Sequence, residues 1–78
     1  MNDRNRDEWA TLIAKHVRRY KEQRDRALER VTMLENGTLR LLSGDEDISE
    51  QAIQQDREMA ARFDEAAEFL EGLMETRR

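Results

Sequence analysis

Seventy-eight residues with 14 Lys and Arg, 18 Asp and Glu and a formal net charge of −4 make one small domain with a thin core. The absence of cysteine excludes disulfides, thiolate metal sites and thiol catalysis, and it fits a reducing cytoplasm. With no proline, and glycine only at 37, 44 and 72, long helices are permitted and strand-rich folds lack their turn chemistry, so an all-α chain is expected.

Residues 1–8, MNDRNRDE, hold no apolar run for a signal peptide and read as a flexible polar arm ahead of a single domain over 9–76, with 77–78 as a tail. No stretch approaches the roughly 18 apolar residues of a membrane span, so a cytoplasmic protein is expected. From Trp9 the apolar positions take helical spacing. Ala10, Ile13, Val17, Tyr20, Arg24, Ala27, Val31 and Leu34 alternate three and four apart, the seam of an antiparallel helix pair, interrupted only by Arg24. Asn36-Gly37 should end this helix, because glycine accepts the left-handed backbone of a helix C-terminus.

The joint that follows, TLRLLSGDEDIS, is longer than a helical hairpin needs. Leu39, Leu41 and Leu42 cannot all face one way in so short a segment. A single helical turn closing the end of the core is expected, and docking of a partner by these leucines stays open beside it. In DISEQAI, Ser49 reads as the cap of a second helix, with Ile48 and Ile53 as a hydrophobic staple and Glu50 in the positive first turn. This helix should run to about Glu75. Its seam is Ile53, Asp56, Ala60, Phe63, Ala67, Leu70 and Met74, widened by Met59, Ala66 and Leu73 and interrupted by Asp56. Ala52, Ala60, Ala61, Ala66 and Ala67 would let two backbones approach closely. The expected architecture is an antiparallel two-helix hairpin, which a second copy could complete as a four-helix arrangement.

Charge is divided along the chain. Residues 1–30 carry nine basic and six acidic side chains, and residues 31–78 carry five and twelve. The stretch VRRYKEQRDR, with five basic residues in ten, has Glu22 and Asp25 among them and scatters its cations around the helix. With an isoelectric point near 5.0 and an acidic second half, this pattern argues for a salt-bridged flank and against direct nucleic-acid binding.

Catalytic chemistry is missing from the pattern. A lone histidine, His16, borders the first seam and reads as a packing residue. Zinc and di-iron sites lack their ligands. Ser43, Ser49 and Thr11 have no imidazole and orienting acid placed to suggest a triad, and no glycine-rich phosphate loop is present. A non-enzymatic protein without cofactor or metal is expected. Apolar residues beyond the seams are more informative: Phe69 lies away from the second seam, Leu12 and Leu28 flank the first and Trp9 stands near its beginning; Trp9, Leu12 and Phe69, with Leu39, Leu41 and Leu42, are the candidate partner-binding residues. A homodimer or a foreign protein would bury them equally well.

Taken together, the polar N-terminus, the helix WATLIAKHVRRYKEQRDRALERV, the joint LRLL and the helix AIQQDREMAARFDEAAEFLEGL resemble the small antiactivators of quorum sensing, the TraM and QseM kind, over roughly residues 9–74. The likeness is one of size, helix order and pattern. It implies a small helical protein that binds a LuxR-type transcriptional activator and keeps it from DNA. A structural or chaperone-like hairpin in phage assembly or secretion is the alternative that the same pattern allows.

Overall fold

The computed structural model describes residues 3–76, and side chains from Asp7 to Glu75. The tail expected at 77–78 lies outside the described residues. Two long helices, α1 (Asp3–Glu35) and α2 (Ser49–Thr76), run antiparallel and pack along their length, joined by a small ribbon of β1 (Leu42–Ser43) and β2 (Glu46–Asp47). The molecule measures 61 × 20 × 16 Å, two helices wide and one helix deep.

The seams are where the sequence places them. Ile13, Val17, Ala27, Val31 and Leu34 on α1 are buried, and so are Ala60 and Ala67 on α2. Ile13, Val17 and Ala67 form a cluster near the open end of the hairpin, against which Trp9, Tyr20, Leu70 and Met74 pack. Ala27 and Ala67 are wholly enclosed, so alanine does allow close approach, although Ala61 faces solvent. Met59 and Leu73, expected to widen the seam of α2, are instead exposed. A hairpin one layer deep covers only a narrow stripe of each helix.

Two of the three boundaries ahead of α2 differ from expectation. Residues 3–8 belong to α1, which starts at Asp3 and not at Trp9; the polar arm therefore continues the helix that its neighbours nucleate. Asn36-Gly37 does end α1, with Gly37 at φ 81° and its N–H donating to the Leu34 carbonyl. The Asn36 side chain accepts from the Thr38 N–H, and the Leu39 N–H reaches the Met33 carbonyl. The joint then forms a β-ribbon where a helical turn was expected. Leu42 pairs with Asp47 and Ser43 with Glu46, which leaves Gly44-Asp45 as a two-residue turn, and Gly44 at φ 63° supplies the positive first dihedral of a type II′ hairpin.

The cap of α2 is also reassigned. Asp47, two residues upstream of the expected Ser49, accepts the Ser49 N–H at 2.9 Å, while the Ser49 hydroxyl oxygen accepts the Leu41 N–H at 3.0 Å. Ser49 thus ties the ribbon to the helix. The Asp47 carboxyl is held below its ordinary value, chiefly by the Ser49 hydroxyl, then by the Ser49 N–H and by Arg40 at 2.8 Å. A depressed folded-state pKa stabilises above the unfolded value and is lost as pH falls through the folded one, so the ribbon should loosen below about pH 4. Following the Ser49 amide resonance during acidification tests this. Its midpoint should lie below the ordinary aspartate range, and Asp47→Asn should abolish the titration. A Ser49 resonance indifferent to pH in the native protein would reject the assignment.

Candidate interaction surfaces

Both seam interruptions are answered across the hairpin. Arg24 donates from Nη1 to Asp64 Oδ1 at 2.7 Å and also holds its neighbour Asp25. Asp56, buried, receives Nε and Nη2 of Arg30 at 3.2 and 3.0 Å, a two-point contact. These hydrogen bonds, Asp64 first for Arg24 and Asp56 for Arg30, raise the already high pKa values of both guanidiniums, so both stay charged. Lys21 reaches Glu71 at 3.3 Å, and Arg57 reaches Glu35 at 2.6 Å. Part of VRRYKEQRDR therefore does face the acids of the second helix, through Lys21 and Arg24. Arg18, Arg19 and Arg26 are exposed and have no ion pair among the described residues.

The pairs divide the hairpin into two unlike flanks. Arg57, Asp64 and Glu71 recur every seven residues on one edge of α2, opposite Lys21, Arg24 and Glu35 of α1. On the other edge of α2, Met59, Ala66 and Leu73 recur every seven residues, and Phe69 lies just outside them. The matching edge of α1 carries Trp9, His16 and Gln23, all half-buried, with Leu12 beside them. One flank is laced with charge, although Leu28 is exposed between Lys21 and Glu35. The other is more apolar and open, with the Arg30–Asp56 pair at its ribbon end.

The six candidate residues fall into two groups. Trp9 is half-buried against the core cluster, where it contributes to folding as well as to the flank. Leu12 and Phe69 stand on the apolar flank at 52% and 66% exposure. Leu39 turns inward to half-burial, while Leu41 and Leu42 point outward from the ribbon at 38% and 65%. Along the 23 residues from Leu12 to the end of α1, the two groups are about 35 Å apart. They are separate surfaces. The ribbon surface is held firmly: the Ile48 N–H donates to the Leu41 carbonyl at 2.9 Å, and Arg40 clasps Asp47. An open groove lined by Leu34, Arg40, Ser49 and Ile53 runs beside it.

Among the described residues no group of His, Cys, Asp and Glu could hold a metal ion, and no helix is long and apolar enough to cross a membrane. His16 is half-buried at the seam edge, consistent with packing. Sequence reasoning missed Met59 and Leu73 as surface residues; their seven-residue spacing with Ala66 was the available signal. Comparison with family models, curated proteins and solved structures gives no match to this chain.

Proposed function

We propose that the chain is a non-enzymatic, protein-binding regulator that inhibits a transcriptional activator, of the LuxR type in quorum sensing, by occupying its surface with the ribbon end of the hairpin. The observation that supports this reading is the outward pair Leu41 and Leu42, presented on a hydrogen-bonded ribbon at the tip of a rod. Apolar anchors on a rigid mount lose little entropy on docking and dominate dissociation. Around them Arg40, Asp45 and Glu46 supply a polar rim. Exposed helix charges would guide encounter and give the association its salt dependence.

The test uses the full chain as bait in lysate of its own cell, with a Leu42→Glu variant as the matched control. A DNA-binding activator should be retained by the native chain and lost by the variant. That purified activator should then release its DNA on addition of the native chain, with the variant at least about tenfold weaker. Recovery of assembly or secretion components alone would overturn the reading in favour of a structural hairpin, and an activator that keeps its DNA would overturn it outright.

A further inference from the structure

The apolar flank belongs to a different encounter from the ribbon tip. We infer that it is the contact surface of a homodimer, in which α1 of each copy lies antiparallel on α2 of the other and both ribbons sit at the same end.

Area is the first argument. A folded monomer of 9.3 kDa exposes about 5,000 Å² by the size scaling of globular chains, whereas this chain exposes 6443 Å². The surplus of about 1,400 Å² exceeds the roughly 800 Å² per partner of a standard interface. Geometry supplies a footprint to match. The hairpin is 20 Å across, and α2 is about 42 Å long, so a copy facing it broadside covers about 800 Å². Among the described residues no large side chain is fully enclosed in the single hairpin, and a domain ordinarily needs two packed layers to enclose one. A second hairpin provides the missing layer over Leu12, Met59, Phe69 and Leu73.

Charge selects the arrangement. The row of α1 that carries Leu12 continues outward of this flank as Arg19 and Arg26, and the rim on α2 carries Glu58 and Glu65, all exposed and without ion pairs among the described residues. On α2 Arg62 has the opposite sign, and the next row outward on α1 is mixed, Lys15 standing among Glu8, Glu22 and Glu29, so the contrast rests on Arg19 and Arg26 against Glu58 and Glu65. A two-fold axis parallel to the helices stacks basic rim on acidic rim twice. An axis across them stacks like on like, which is repulsive. A foreign partner would have to reproduce this same order of signs, which a second copy supplies by symmetry.

Sedimentation equilibrium of the full chain from low to high micromolar concentration tests the state. A reversible dimer is expected, and Phe69→Glu, at an exposed position that leaves the helix intact by circular dichroism, should weaken it at least tenfold. Monomer throughout, or a dimer indifferent to Phe69→Glu, overturns the inference. The arrangement has its own test. Reversing one rim (Arg19→Glu with Arg26→Glu) should weaken self-association, and reversing the other as well (Glu58→Arg with Glu65→Arg) should restore it. Because the chain has no cysteine, a Leu12→Cys chain mixed with a Leu73→Cys chain should form a disulfide between copies. Absence of both rescue and cross-link overturns the antiparallel placement of α1 on α2. None of these readouts involves the ribbon, so failure here leaves the proposed function standing, and failure there leaves the dimer standing.

Discussion

Phe63→Ala should cost about 3 kcal/mol and lower the melting temperature by more than 10 °C, the largest single effect expected in the chain. Phe63 is half-buried midway along α2, with its ring 6.1 Å from that of Tyr20 and tilted by 31°. Along α2 it lies between Ala67, which joins the Ile13 and Val17 cluster at the open end, and the buried Ala60 nearer the ribbon. The buried residues one turn to either side of it on α2 are Ala60 and Ala67, which cannot extend into a gap. Removal of the ring therefore leaves a space and strips one face of Tyr20, adding a cavity penalty to the lost burial. A chain of this size has a total stability on the order of 4 to 10 kcal/mol, so the variant approaches unfolding at physiological temperature. Circular dichroism melts at low micromolar concentration check it. Phe69→Ala removes the same atoms from an exposed site and should shift the melt by less than about 0.5 kcal/mol there. Equal shifts for the two would mean that the seam of α2 is misplaced.

The contrast between Phe63 and Phe69 was legible in the sequence because a three-four spacing fixes which side of a helix each residue takes. The same periodicity found Ile13, Val17, Val31 and Leu34, and Gly37 marked the stop of α1 through the backbone that only glycine adopts easily. Periodicity is silent where the elements are two residues long. The ribbon had one local signal, a Gly-Asp pair between Ser43 and Glu46, and that signal is readable only if a two-residue turn is considered. Once the ribbon forms, Asp47 is brought to the helix start and Ser49 is turned toward Leu41, so the choice between two good cap formers was made by tertiary structure. The helix start at Asp3 was hidden for the opposite reason: residues 3–8 have no apolar face to reveal a helix propagated from Trp9 onward. Met59 and Leu73 were assigned inward because the spacing says which edge of the helix they occupy. It does not say whether a second layer covers that edge.

Arg24 and Asp56 read in the sequence as breaks in the seams, and a single sequence gives their signs without their partners. The structure gives Asp56 to Arg30 in a two-point contact, with the Asp56 side chain 12% exposed and that of Arg30 46%. Asp56→Ala should therefore destabilise by about 2 kcal/mol. Removing one member of a fully buried pair costs about 3 to 5 kcal/mol, but here the abandoned guanidinium can turn to water along its own aliphatic stem, which reduces the penalty. The converse substitution has the opposite sign. Asp56→Leu combined with Arg30→Met makes the α2 seam apolar at that level, leaves an apolar stem at its edge on α1 and avoids dehydrating a carboxylate, so the double variant should melt at or above the native protein. The ion pair then contributes less to stability than to alignment, since Arg30 on Asp56 and Arg24 on Asp64 fix the stagger of two helices whose apolar stripes are smooth with alanine. Thermal melts of the two single variants and the double variant separate the possibilities. A coupling energy above about 1 kcal/mol with a stable double variant supports an aligning pair. A double variant as unstable as Asp56→Ala would show instead that the carboxylate stabilises the hairpin beyond its contact with Arg30, and the seam would have to be re-read as polar by necessity.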